Sequence, residues 1–374
     1  MDNNKKGAGN NEQEKKEVKD QEKKDQDKNN QVIHFPNGDV YEGSVNEHGK
    51  PEGEGIVYYD NGDRYEGEVK NGRLEGKGIC FYNNGNRYEG DWKAGKKEGR
   101  GKFYFNDGSR YEGEFKKNTA EGKGIYFYNN GYRYEGDWKN GIKEGKGTMH
   151  YANGDRYEGD WKNDIEEGKG IYLCNNGDRY EGDWKNGIRD GKGIYFYNDG
   201  IVYEGDWKND IRDGKGKEYW HDGNIYEGDW KNDEKEGRGI CFYNNGDKYE
   251  GDWKDGTRDG KGIYFYNDGD RYEGDWKNGI KEGIGTMHYA NGDRHEGNWK
   301  NDQKEGRGTF YSNNGERYEG TWVDGCADGI FFHRLADGSI QRERWTNDEY
   351  AGPAFYTEDL MNLRNQQHDK GLGK

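Results

Sequence analysis

Glycine-flanked lysines are the first residues of this 374-residue chain that invite a chemical reading. Gly187-Ile188-Arg189-Asp190-Gly191-Lys192-Gly193 looks like a loop that could cradle a phosphate with its backbone N–H groups. A P-loop needs four residues between its outer glycines and a Ser or Thr after the Lys. Here three residues intervene and Gly193 follows the Lys, so nucleotide binding is not expected. Asn198-Asp199-Gly200 and Asn267-Asp268-Gly269-Asp270 resemble fragments of calcium loops. An EF-hand also requires a Glu at its twelfth position and two flanking helices, which the pattern lacks. Four cysteines, Cys80, Cys174, Cys241 and Cys326, raise the question of a disulfide framework. The eight histidines are scattered, with His150 and His288 merely in equivalent surroundings. No catalytic residue, cofactor site or metal site is expected, and the chain does not read as an enzyme.

The elements that carry these residues explain the pattern. Tyr-Glu-Gly recurs with its Tyr at 41, 65, 88, 111, 134, 157, 180, 203, 226, 249, 272 and 318, and His295 fills the same slot. After one step of 24 residues every step is 23. Two residues past each Gly stands an apolar anchor, usually Trp, with Val45, Val69 and Phe115 as early substitutes. In one unit, Arg179-Tyr180-Glu181-Gly182-Asp183-Trp184-Lys185 alternates with period two. Tyr180, Gly182 and Trp184 then share one face of a strand, and the charged residues share the other. Gly191-Lys192-Gly193-Ile194-Tyr195-Phe196-Tyr197 reads as a second strand with aromatics on both faces. The Asn-Gly and Asn-Asp-Gly segments between runs are hairpin turns, where φ > 0 costs little. The strand-interior Gly leaves room for rings to lie over the backbone.

The fold expected is all-β: an elongated antiparallel meander, a grooved single sheet of tandem 23-residue hairpins. Two strands per repeat advance about 9.6 Å, so thirteen repeats extend on the order of 125 Å. Cys80 and Cys241, seven repeats apart, would stand about 67 Å from each other. A disulfide needs Cα atoms within about 7 Å, so no internal bridge is expected.

Composition agrees. Only 28% of residues are hydrophobic while 15% are aromatic, and Gly supplies 65 residues against 3 Pro. Such a chain cannot build a thick aliphatic core, but it is too aromatic for simple disorder. The formal charge is −16, which argues against phosphate-neutralising nucleic-acid binding and against attraction to anionic membranes. The N-terminus lacks an apolar signal-like stretch, and no run of about 18 apolar residues occurs, so a cytoplasmic protein is expected.

Tyr-Glu-Gly-Asp-Trp-Lys-Asn-Gly, followed by Gly-Lys-Gly about eleven residues after the Tyr, resembles the MORN repeat (membrane occupation and recognition nexus). The resemblance implies tandem hairpins in a non-catalytic scaffold or partner-binding module, as in ciliary radial-spoke heads and cytoskeletal collars. Catalytic domains appended to some family members would need about 100 or more residues outside the repeats. Here only 1–31 and 346–374 remain. Choline- and glucan-binding repeats are also aromatic hairpins, but they are secreted and lack the Glu-Gly-Asp-Trp core.

Three regions follow. Residues 1–31 form a charged tail expected to be disordered, with eight acids and eight bases. Residues 32–345 form the array, ending in a decayed copy, Gln341-Arg342-Glu343-Arg344-Trp345, whose charges suit a capping edge. Residues 346–374 form a tail in which Thr357–Arg364 has the N-cap, first-turn acids and apolar cluster of a short helix. The function expected is a scaffold holding proteins along its groove, in a cytoskeletal or ciliary assembly. The groove would be lined by Tyr134, Trp138, Tyr157, Trp161, Tyr180, Trp184, Tyr203, Trp207, Tyr226 and Trp230. Multivalent or extended protein partners suit near-identical surfaces, and a homodimer is compatible with them. The rival reading is a phosphoinositide-responsive membrane adaptor, resting on Lys93-Ala94-Gly95-Lys96-Lys97 and Lys116-Lys117.

Overall fold

The computed structural model describes residues 30–355 and contains no helix among them. The chain divides into two compact units, Met1–Ile188 and Arg189–Lys374. In the first unit, strands run from Asn30–His34 to Arg179–Lys185, each antiparallel to the next. The second unit repeats the pattern from Ile188–Phe196, with Arg189 as its first residue, to Glu349–Pro353. The meander of tandem hairpins expected from the period is therefore the observed architecture.

Each repeat is built from a seven-residue motif strand, such as Arg156–Lys162, and a nine-residue return strand, such as Ile165–Leu173. A two-residue turn joins them. Asn140 (φ 52°) and Gly141 (φ 85°) show its left-handed backbone, which suits the right-handed twist of the flanking strands. The return strand carries a bulge: Gly159 faces Gly170, but Trp161 faces Glu166. Gly168 lies in this bulge at φ 70°, which explains the first glycine of Gly-Lys-Gly. The Asp160 carboxylate fills the gap by accepting the Lys169 N–H (3.0 Å) and pairing with the Lys146 ammonium (2.6 Å). Partial burial opposes ionisation of Asp160, yet these two donors hold its carboxyl below the usual range.

The second glycine of Gly-Lys-Gly has a different cause. Gly136 and Gly147 face each other across the strands, and the Tyr134 ring lies flat on the pair. A Cβ on Gly147 would run into that ring. The phenol of Tyr134 donates to the carbonyl of Asp137 at 3.1 Å, so the buried hydroxyl is satisfied. The ring thus comes from the glycine's own hairpin.

The C-terminal end differs from the sequence reading. Ile340–Thr346, the decayed copy, is not an edge: Glu349–Pro353 pairs beyond it through a turn at Asn347 and Asp348. Arg342, Glu343 and Arg344 therefore sit in an interior strand, and Pro353, without an N–H to donate, lies in the outermost strand among the described residues. At the other end Asn30 and Gln31, read as tail, already pair with Ser44 and Gly43. The rest of the N-terminal tail and the Thr357–Arg364 helix lie outside the described residues.

Candidate protein-binding surface

The ten aromatic residues expected to line a groove do share one face, but the packing makes them core. In the first unit Tyr134, Tyr157 and Tyr180 are at most 2% exposed, and Trp138, Trp161 and Trp184 are buried with them. In the second unit Tyr203, Tyr226, Trp207 and Trp230 are buried in the same way. Within each unit a Tyr typically meets two indoles edge-on. Tyr134 stands 5.3 Å from Trp138 and 5.1 Å from Trp161, and Tyr203 stands 5.3 Å from Trp207 and 5.2 Å from Trp230. Such T-shaped pairs each add about 0.5–1.5 kcal/mol beyond area burial. The indole N–H groups are also used: Trp161 donates to the Gly147 carbonyl at 3.1 Å and Trp230 to that of Gly216 at 3.2 Å. The ladder of rings is consequently closed to direct contact by a partner.

What faces outward is the layer that closes it. In many repeats a cation stacks on the Trp: the Lys143 ammonium lies 4.4 Å from the centre of Trp161, Arg212 4.3 Å from Trp230 and Arg258 4.4 Å from Trp276, while Leu74, Ala120 and Glu166 hold the same position elsewhere. Desolvation lowers the pKa of Lys97, Lys143, Lys235 and Lys281 in this position. Half-buried rings from the ends of return strands, including Tyr82, Tyr128, Tyr151, Tyr197, Tyr243 and Tyr266, share this face; Lys97 lies 5.5 Å over Tyr82, whereas Tyr151 donates to the Glu166 carboxylate at 3.0 Å. Burial raises the Tyr128 phenol to about 12, helped by Tyr126 and Asp164. Lys281 reaches the Tyr266 hydroxyl at 3.3 Å, and Lys235 lies 4.2 Å over Trp220, which replaces Tyr in its repeat. Where ring and cation coincide, this row can offer stacking, hydrogen bonds and positive charge.

The opposite face is a lattice of ion pairs and cation–π contacts. Arg87 lies 4.4 Å over the Tyr104 ring and pairs with Glu89 at 2.9 Å; Arg110 lies 4.2 Å over Phe127 and pairs with Glu112 at 2.6 Å. Exposed pairs of this kind add little individually, roughly 0–1 kcal/mol. The basic cluster considered for lipid binding is reduced by the fold. Lys93 and Lys96 are exposed, but Lys97 is folded over Phe103 at 4.4 Å as one of the core-covering cations.

Two features have no counterpart in the sequence reading. Glu218 occupies a slot held elsewhere by Tyr172, Tyr195, Met149 or Met287, and it is 7% exposed between Arg212 (2.8 Å) and Lys235 (3.3 Å). Its signal was a charged residue where neighbouring copies carry apolar ones. In the last full copy Phe331 stands where the other repeats have their second glycine, and its ring covers Gly320 in place of the Tyr. Tyr318, displaced, stacks instead on His333 at 4.0 Å, and His333 pairs with Glu343 at 2.8 Å. Cys80 and Cys241 are buried thiols in equivalent places. Among the described residues no group of three or more His, Cys, Asp or Glu is arranged to hold a metal ion.

The MORN repeat family model matches twelve consecutive segments, 41–64, 65–87, 88–110, 111–131, 134–156, 157–179, 180–202, 203–225, 226–248, 249–271, 272–294 and 295–317. No curated protein matches the chain. Among solved structures, the Drosophila melanogaster SAS-4 TCP domain in complex with a proline-rich motif of Ana2 is similar at 15% identity and TM-score 0.30. That match covers 48% of this chain and 90% of the other. The Danio rerio CPAP TCP10 domain with a STIL peptide is similar at 11% identity and TM-score 0.16, covering 83% and 96%. At these TM-scores neither likeness carries an argument about this chain.

Proposed function

This chain belongs to the MORN repeat family, and on that premise we propose that it is a non-catalytic scaffold that holds other proteins along the face carrying its half-buried rings. The observation that supports this is the row itself: in the second unit the successive repeats carrying Arg212, Lys235, Arg258 and Lys281 each set a half-buried ring beside a cation over the indole layer, and in the first unit Lys97 and Lys143 do the same. Neighbouring copies of that pair lie two strands apart, about 9.6 Å. A surface of repeated weak sites favours an extended or multivalent partner, whose second contact benefits from a high effective concentration. The contact residues are then Tyr82, Tyr128, Tyr151 and their equivalents. The ten buried Tyr and Trp side chains support the surface without meeting the partner. A cytoskeletal or ciliary assembly is the setting that family membership suggests.

Detergent extraction of the native cells tests the reading. The account expects the full chain to remain with the insoluble cytoskeletal fraction. A Tyr82→Ser, Tyr128→Ser, Tyr151→Ser chain, shown to be folded by circular dichroism, should be released. Full release of the unaltered chain would contradict a cytoskeletal scaffold, and retention of the triple variant would contradict the assigned contact row.

A further inference from the structure

On the face opposite the buried Tyr–Trp ladder, the residue before each motif Tyr is a cation in most repeats: Arg64, Arg87, Arg110, Arg133, Arg156, Arg179, Lys248, Arg271, Arg294 and Arg317. These cations pair with the Glu two residues on, and several also lie over a ring directly across on a return strand, as Arg64 does over Phe81 and Lys248 over Phe265. Val40 stands in this slot in the first repeat, and farther along two consecutive repeats break the row, with Val202 and Ile225 in the cation slots. Tyr219 lies across from both Val202 and Ile225, and Phe242 lies across from Ile225.

The repeat beginning at Tyr88 provides an internal control. It has Lys102 and Tyr104 where the altered repeat has Lys217 and Tyr219, but it keeps Arg87 and Arg110 in the two slots. Lys102 pairs with Glu112 at 3.3 Å, as Lys217 pairs with Glu227 at 3.5 Å. In the control, Arg87 covers Tyr104 and pairs with Glu89, while Arg110 covers Phe127. In the altered repeat Lys217 reaches Tyr219 at 5.2 Å, which leaves two groups bare. Phe242 is 41% exposed with no cation over its ring, and the exposed Glu204 carboxylate has no ion-pair partner. The surface is therefore an apolar strip, Val202–Tyr219–Ile225–Phe242, beside the Glu204 carboxylate, whose cross-strand neighbour Lys217 is engaged by Glu227 and Tyr219.

We infer that Val202, Ile225, Glu204 and Phe242 form a docking site for a segment of another protein that carries two arginines, which complete the interrupted lattice. One guanidinium pairs with Glu204 at the Val202 slot, and the other stacks on Phe242 at the Ile225 slot. Guanidinium is the fitting group because it can stack on a ring and pair with a carboxylate together, as the chain's own arginines do. The slots are two strands apart, about 9.6 Å, which an extended segment spans between residues three positions apart at about 3.3 Å per residue. The apolar side chains between the arginines meet the Val202–Ile225 strip. Pairing with the same face of a second copy is disfavoured, because Glu204 and Glu227 would meet their own kind.

The test uses the full chain and a fluorescein-labelled peptide with two arginines three positions apart, separated by Val and Ile. Fluorescence anisotropy and a stoichiometric titration should show one peptide bound per chain. The lysine version of the peptide should bind at least about tenfold more weakly, since an ammonium cannot both stack and form a fork. Val202→Arg with Ile225→Arg fills both slots from within and should abolish binding. This variant retains the fold because Arg occupies these slots in neighbouring repeats. Arg87→Val with Arg110→Ile should create a second site and raise the stoichiometry to two. Absence of binding at 1 mM peptide, equal binding of the lysine peptide, or unchanged binding to the Val202→Arg, Ile225→Arg chain would each overturn the assignment. The site lies on the face opposite the half-buried tyrosine row, so the tyrosine triple variant should bind this peptide normally.

Discussion

His295 occupies the slot that twelve tyrosines fill, and replacing it by Tyr should stabilise the protein. The backbone is ready for the change: His295 faces Phe310 and Gly297 faces Gly308, just as Tyr272 faces Met287 and Gly274 faces Gly285. The imidazole is 1% exposed, and neither ring nitrogen has a hydrogen-bond partner. Burial and the nearby Lys304 ammonium lower its pKa to about 3. A Tyr would donate to the Asn298 carbonyl, as Tyr272 donates to Asp275 at 3.1 Å. One hydrogen bond gained, and an unsatisfied buried imidazole removed, should together be worth about 2 kcal/mol at pH 7.5. Acid should widen the gap. Between the unfolded pKa near 6.5 and the folded value, the unfolded chain takes up a proton at His295 that the folded chain excludes. Native stability therefore falls as pH drops, by up to about 1.4 kcal/mol per unit. At pH 5 the difference between His295→Tyr and the parent should reach about 4 kcal/mol, because contributions from shared carboxylates cancel. Urea denaturation followed by the fluorescence of the tryptophans, with hydrogen exchange of amides 294–311 as the local readout, measures both quantities. Equal stability at pH 7.5, or a gap that stays constant down to pH 5, would refute the assignment of a neutral, unsatisfied imidazole to this core.

Glycine substitutions should separate strain from collision. Gly147→Ala forces a methyl into the Tyr134 ring and should cost about 3 kcal/mol, whereas Gly141→Ala meets nothing within 4 Å and should cost only about 1–2 kcal/mol from its left-handed φ; thermal unfolding of the two variants compares them. Glu218→Gln leaves Arg212 and Lys235 without their buried counter-charge and should cost about 3 kcal/mol, as read by urea denaturation. Trp161→Ala removes a buried indole and the donor to Gly147, so a loss of about 3–5 kcal/mol is expected, with increased hydrogen exchange centred on the two repeats it joins.

The repeat was legible because its causes are local. Asn140-Gly141 marks a turn through its backbone conformation, and the alternation in Arg156–Lys162 sets its faces before any tertiary contact forms. The strand glycines were also legible as places where a ring lies, although the Tyr of the same hairpin supplies it. Alternation could not reveal how thick the layer above a face is. Tyr134 and Trp138 read equally well as contact residues or as core, and only the packing of neighbouring rings around them, with a stacked cation in repeats such as that of Lys143, decides for core. The bulge at Gly168 is not legible in the sequence because Gly-Lys-Gly looks the same whether each glycine answers to φ or to crowding. Phe331 and the Glu218 ion pairs escaped because each is a departure from the repeat, and its partners are fixed only by register.

The central claim is that the half-buried rings, and not the buried ladder beneath them, meet the partner. Site-specific photo-crosslinking in native cells, with benzoylphenylalanine placed in turn at Tyr128, Tyr151, Lys123 and Phe127, tests it directly. The account predicts that Tyr128 and Tyr151, one repeat apart, capture the same protein, and that Lys123 and Phe127 on the other face do not. Capture of that protein from Lys123 or Phe127 but not from the tyrosine positions would contradict it.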